Sequence, residues 1–240
     1  MNARAPYRDP ARDLEARIKD LLGRMTLDEK LAQLGGVWSS DLVGTAGFDP
    51  DQTSRLLEHG IGQVTRIGAT TALEPAASAA FANAIQRMLV EDTRLGIPAI
   101  VHEEALAGYC ARRATQYPQA IGHLDLERGQ EPVQIGPREL REVFAEPFAA
   151  AIREAGLRSV MNSYSAVDGV APAGSPELLD ELLRSELGFE GTVVADYYAV
   201  DLLVRHHRVA RDKADAAALA IAAGLDVELP ALDCFGEPLR

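Results

Sequence analysis

The chain has 240 residues, 47% of them hydrophobic, which is enough for one substantial core. Its 36 acidic against 24 basic residues leave a formal charge of −12 with no Lys/Arg-rich run, which argues against nucleic acid and anionic membranes as partners, since both are held by clustered cations. Cys110 and Cys234 form neither a zinc spacing nor a disulfide framework, the polar opening through Asp13 lacks the apolar region of a signal peptide, and no apolar run reaches membrane-spanning length, so the expected location is cytoplasmic.

In chain order, Leu14, Ile18, Leu21 and Leu22 recur at helical spacing and predict a helix to about Met25. Thr26-Leu27-Asp28-Glu29 then reads as a capping box opening a short helix through Leu34, which Gly35-Gly36 ends. From there short apolar, β-branched stretches alternate with amphipathic ones. The predicted strands are Gly36–Trp38, Gly62–Ile67, Ala99–His102, Ser159–Asn162, Thr192–Ala195 and Leu225–Glu228. The predicted helices are Pro50–His59, Leu73–Glu91, Pro137–Ala155, Ser175–Leu187 and Asp212–Ala223.

Strands alternating with helices imply an α/β fold with a parallel sheet, either a closed barrel or an open doubly wound sheet. No GxGxxG or Walker-type loop follows the first strand, and polar residues gather just past the strand ends, where barrel active sites lie. The expectation is therefore a (β/α) TIM-barrel-like domain over residues 1–240, incomplete at about six strand–helix units. The polar stretch from His123 to Pro132 fits neither period and reads as a junction or deletion near 122–133. A barrel short of two units keeps open strand edges, so a homo-oligomer through those edges is expected.

Asp196 follows Thr-Val-Val-Ala, at the point where a buried strand opens. It reads as a nucleophile or, equally, as a cap of the next helix. Glu103 and Glu104 end another strand. Adjacent strand residues point to opposite faces, so one is expected in the pocket and the other outside it. Tyr164 lies past Val160-Met161-Asn162 and suits either a sugar site or a half-buried core position. Asp226 and Glu228, two apart, are expected on one side of the last strand, paired inside the sheet. His102 with one or two carboxylates is an incomplete metal set, and His206-His207 does not complete it, so no metal and no cofactor are expected. The three lysines, Lys19, Lys30 and Lys213, sit in predicted helices or their caps, against a Schiff-base enzyme; no GxSxG elbow suggests an esterase. Glycoside hydrolysis by the usual route needs two carboxyl groups, and Asp196 could be one.

Several motifs taken together resemble glycoside hydrolase family 3, the β-glucosidases and β-xylosidases. They are Leu27-Asp28-Glu29-Lys30-Leu31-Ala32-Gln33-Leu34; Leu95-Gly96-Ile97-Pro98 running into His102-Glu103-Glu104-Ala105-Leu106-Ala107-Gly108; Tyr117-Pro118-Gln119-Ala120-Ile121-Gly122; Ser159-Val160-Met161-Asn162-Ser163-Tyr164; Gly188-Phe189-Glu190-Gly191-Thr192-Val193-Val194-Ala195-Asp196-Tyr197; and Ala223-Gly224-Leu225-Asp226-Val227-Glu228. They occur in the family's order, with Ala195 where the family usually has Ser.

The resemblance implies a retaining exo-acting β-glycosidase on a carbohydrate substrate, with Asp196 as the nucleophile. It implies that Glu104 holds sugar hydroxyls beside the cleaved bond, and that Tyr164, Met161 and Tyr197 lie at the same sugar. The family's long segment with two further strands, a sugar-binding Arg and a Lys-His pair has no equivalent between Gly122 and Pro132. The family's acid/base comes from a following α/β sandwich domain, and residues to Arg240 are expected to precede it. The alternative expectation is a non-catalytic glycan-binding or interaction module, or an inactive remnant.

Overall fold

The Thr26 hydroxyl accepts from the Glu29 amide, and the Glu29 carboxylate accepts from the Thr26 amide, so the capping box forms as the sequence predicts. Glu29 also accepts from Arg94 Nε at 2.9 Å, which ties this helix to a segment far along the chain. The computed structural model describes residues 5–44, 47–105, 108–115 and 130–240. The Tyr117–Gly122 motif, Leu106-Ala107 and most of the expected junction lie outside the described residues.

Helices α1 (Leu14–Arg24) and α2 (Leu27–Gln33) lead into β1 (Gly36–Trp38). A small antiparallel pair follows, β2 (Val43–Gly44) and β3 (Gly47–Phe48), then α3 (Pro50–Leu56) and β4 (Gln63–Thr65). Next come α4 (Ile67–Thr71), α5 (Pro75–Asp92) and β5 (Ile100–His102). Residues 137–155 form one helical run: α6 (Pro137–Glu139), a π-helical stretch over Leu140–Phe144, and α7 (Glu146–Ala155). β6 (Ser159–Met161), a second π-helical stretch over Glu177–Glu186, β7 (Thr192–Val194), α8 (Ala199–Arg205) and α9 (Lys213–Ala222) complete the order.

The other two sheets are parallel. β1 pairs β4 with Val37 opposite Val64, β4 pairs β5 with Val64 opposite Val101, and β6 pairs β7 with Val160 opposite Val193. The predicted last strand over Leu225–Glu228 is reduced to two parallel bridges. Val227 bridges Val194 and Glu228 bridges Gly35, so the segment links β7 to the start of β1. The ladder stops there because the chain runs straight on into the loop that wraps the Glu228 carboxylate. The spatial order is therefore β6, β7, residues 227–228, β1, β4, β5, with β6 and β5 at the two ends.

Two glycines permit this approach at the strand starts. A Cβ on Gly62 would stand 2.1 Å from the Gln33 carbonyl oxygen, and one on Gly191 would stand 2.3 Å from that of Arg158. Val193, Leu203, Ala216, Ala220 and Phe235 are buried in the larger core between β7 and its helices; Val64, Ile85 and Leu89 are buried in a second core under α5. Val194, Val227 and Leu229 form a small third cluster on the other face of the sheet, with Met161 and Tyr197 packed against it. That face carries the strand ends where the expected site residues sit. Expected strands Gly62–Ile67 and Thr192–Ala195 end early, the former because Arg66 turns into the left-handed region at φ 50 and Ile67 starts a helix.

Candidate active site

Each strand delivers a polar or aromatic residue to the same end of the sheet. β1 ends on Trp38, β4 is followed by Arg66, β5 by Glu103 and Glu104, β6 by Asn162 and Tyr164, and β7 by Asp196 and Tyr197. Successive residues beyond β5 diverge as the period-two argument requires. Glu103 Oε1 accepts from the Gly68 amide at 2.6 Å, whereas Glu104 Oε1 stands 3.3 Å from Arg66 Nη1 and accepts from the Tyr197 hydroxyl at 2.5 Å. Glu104 is thus the one that faces Asp196's neighbour.

Asp196 sits in a cradle. Its backbone N–H donates to Asn162 Oδ1 at 3.2 Å, and its Oδ1 accepts from the Tyr197 amide at 2.8 Å. The Tyr164 hydroxyl donates to the Tyr197 carbonyl at 2.9 Å and lies against the Asp196 carboxylate. The helix-cap reading of Asp196 does not hold: Tyr198 is the N-cap of α8 and makes no side-chain cap bond. Burial pushes the Asp196 carboxyl up to about 6, against the downward pull of the Tyr164 hydroxyl, the Tyr197 amide and the Arg66 charge, while the Glu104 charge adds to the rise. Burial likewise raises the Tyr164 and Tyr197 phenols, with Asp196 and Glu104 respectively adding to it.

The Tyr197 ring stacks on Trp38 with centroids 4.5 Å apart, and Met161 packs in the same small apolar cluster as Tyr197. Asp196, Glu104, Tyr164, Met161 and Tyr197 are therefore brought together. Three further members were not singled out from sequence as site residues, although Asn162 stood among the polar residues at the strand ends. Arg66 fell inside a predicted strand, Trp38 was read as a strand residue, and Asn162 as a strand end; the pattern of polar residues just past strands, applied to every strand, was the available signal.

Other expectations separate. His102 Nδ1 shares a hydrogen bond with Gln63 Oε1 at 2.6 Å, and burial beside the Arg66 charge lowers the imidazole to about 4. Asp226 and Glu228 are not paired with each other. Asp226 pairs with Arg184 at 2.7 Å near the surface, whereas Glu228 is buried and accepts the amides of Asp233, Cys234 and Phe235. The expected pairing of the two inside the sheet does not form, because each carboxylate takes its own partners. A cavity of about 300 Å³ lies on the helix side of β5, lined by Ile67, Val101, Glu103, Tyr109 and α5, away from Asp196. Among the described residues, Asp201, Asp233 and Cys234 bring three possible metal-ligating atoms together, but Lys213 Nζ already stands 2.5 Å from Asp233 and Arg205 bonds Asp201, so the group is a salt-bridged seam.

The family model described as "Glycosyl hydrolase family 3 N terminal domain" matches residues 26–131 and 121–237. A "Putative beta-xylosidase" of Formosa agariphila is 24% identical over an alignment of 324 positions covering 95% of this chain and 43% of the relative. "Beta-glucosidase B" of Emericella nidulans is 26% identical over 256 positions, covering 90% of this chain and 29% of the relative. Among solved structures, a β-glucosidase from Erythrobacter marinus superposes with a TM-score of 0.77 at 28% identity, covering 96% of this chain and 42% of that one. The chain spans less than half the length of these relatives.

Proposed function

Because the chain belongs to glycosyl hydrolase family 3, we propose that its strand-end cluster binds the terminal sugar of a β-glucoside or β-xyloside, with Asp196 as the nucleophile of a retaining hydrolysis. The observation that carries this reading is the cradle itself: a half-buried carboxylate just past β7, oriented by Asn162, Tyr164 and Tyr197, beside a second carboxylate, Glu104, held by Arg66. Asp196 Oδ attacks the anomeric carbon, the bond to the leaving oxygen breaks, and that oxygen takes a proton from a general acid. Water then attacks the same carbon and releases Asp196. Glu104 accepts sugar hydroxyls, Tyr164 and Tyr197 line the ring, and Met161 contributes apolar contact.

The architecture proposed for this site is a (β/α)₈ barrel lacking two units. The parallel order runs from β6 and β7 through the single bridges at 227 and 228 to β1, β4 and β5, and among the described residues no strand joins β5 to β6, which is where two units would fit. Two separate family matches and an alignment of 324 positions against 240 residues support one domain over 1–240 shortened near 122–133. Among the described residues β5 and β6 each leave one edge unpaired, which suits pairing with a second copy of the chain.

One observation favours a second reading, glycan binding without turnover. The carboxylate beside Asp196 is tied to Arg66 and Tyr197, and so is poorly suited to act as the acid. Incubation with activated 2-fluoro-glucosides and 2-fluoro-xylosides, read by intact mass, separates the two. An adduct on Asp196 that is lost in Asp196→Asn supports the nucleophile. A folded sample that binds sugar and takes no label supports the second reading.

A further inference from the structure

Arg66 has no role in the reaction as written above, yet its placement is unusual in three ways. Its backbone is left-handed at φ 50, which side chains other than glycine rarely adopt, and strain of this kind clusters at functional sites. Its amide donates to the His102 carbonyl at 2.9 Å, so the turn is locked to the end of β5. Its side chain is three-quarters covered, with Nη1 3.3 Å from Glu104 Oε1, the guanidinium against the Tyr197 hydroxyl, and Nε buried without a hydrogen-bond partner among the described residues.

We propose that Arg66 is the positioning residue of this site, holding Glu104 and Tyr197 in the orientation that receives a sugar's hydroxyls and balancing the paired charges of Asp196 and Glu104. The sugar part rests on the glycosidase reading; the charge part does not. Two nearby carboxylates disfavour each other's ionisation, and one fixed cation offsets both. Arginine suits the task because its guanidinium stays charged and its planar fork can serve two acceptors at once. The groups facing Asp196 are Tyr164 after β6, Glu104 after β5, Arg66 after β4 and its own neighbour Tyr197. Those facing Arg66 are Glu104, Tyr197 and Cys110, with His102 and Glu103 also feeling its charge. His102, lowered to about 4, is uncharged across the range where Asp196 titrates. The two site carboxylates therefore face Arg66 as their nearby cation.

The test is a carboxyl-carbon NMR titration of the full chain, with Asp196 assigned by Asp196→Asn. Arg66→Met is expected to move the Asp196 midpoint upward by about one pH unit, whereas Arg66→Lys leaves it within a few tenths, since the charge is kept. Should Arg66→Met not fold, Glu104→Gln tests the same balance from the other side and is expected to lower the midpoint. A midpoint unmoved in the folded variant overturns the charge part of the proposal. The second readout is the concentration dependence of labelling by an activated 2-fluoro-glycoside. Arg66→Lys is expected to weaken reagent affinity about tenfold while keeping the pH profile, because an ammonium is a point charge and cannot hold both partners. Unchanged affinity in Arg66→Lys overturns the positioning part. A midpoint that moves in Arg66→Met, in a chain whose wild type takes no label, supports the charge part and sinks the glycosidase reading alone.

Discussion

Tyr197 donates its hydroxyl to Glu104 at 2.5 Å, a bond that closes 93 positions of sequence and lays the ring across the strand ends from β7 to β5. The same ring rests on Trp38, the chain's single tryptophan. Tyr197→Phe keeps the stack and removes one hydrogen bond to a charged acceptor. It is expected to cost about 1–2 kcal/mol in urea unfolding, discounted for partial exposure. Tyr197→Ala removes the stack as well and is expected to shift Trp38 emission toward that of a solvated indole, which fluorescence of the folded variant checks.

The Asp196 carboxyl carries a pH signature of known sign. Its folded value of about 6 lies above its unfolded value near 3.8, so the native state binds more protons between those two pH values. Stability is therefore expected to fall as pH rises from about 4 to about 6. Asp196→Asn removes the cost of burying the charge and is expected to stabilise the fold at pH 7.5 by roughly 1–3 kcal/mol, with the gain gone near pH 4. Urea melts of both proteins at the two pH values test this. A variant equally stable at both would mean that burial does not dominate Asp196. Labelling by a 2-fluoro-glycoside, which needs the ionised carboxylate, is expected to rise with pH through the same range.

Glu228 holds the C-terminal loop by accepting three consecutive amides, those of Asp233, Cys234 and Phe235. Burial raises its carboxyl while those amides oppose the rise. Glu228→Ala leaves three buried donors unmatched and is expected to destabilise by about 3 kcal/mol or more. Hydrogen exchange at Cys234 and Phe235 is expected to accelerate ahead of that in β7. Uniform acceleration across both would show that the loop and the sheet open as one unit.

Ile100, on the end strand β5, is half exposed at 51%. If the outer edges of β5 and β6 pair between copies, light scattering shows a dimer whose population falls in Ile100→Lys, because a charge on an edge strand opposes pairing. A wild-type monomer at high concentration removes edge pairing from the account.

The strand positions were legible because strands buried on both faces read as short apolar, β-branched runs, as Thr192-Val193-Val194 does. The capping box was legible because it is local. Helices α4 and α8 were not predicted, since each is short and begins at a left-handed residue, Arg66 or Tyr198, that no local pattern marks. The small β2–β3 pair left no period in the sequence for the same reason of length, whereas the two π-helical stretches fall inside the predicted helices Pro137–Ala155 and Ser175–Leu187. Among site residues, Asp196, Glu104, Tyr164, Met161 and Tyr197 were legible from strand ends and family motifs. Arg66 was hidden by a strand predicted one turn too long.

What the sequence by itself determined is where strands and helices alternate and which polar residues lie near the strand ends, because strand period, Gly placement and caps are set by neighbours in the chain. Only the tertiary structure decided which partner each carboxylate received. Glu104 took Arg66 and Tyr197, Glu103 took the Gly68 amide, Asp226 took Arg184, and Glu228 took the loop at 233–235. Most of these pairings join residues from different strand–helix units, and burial makes each partner matter. They follow from how the strands are ordered in space, which no local pattern encodes.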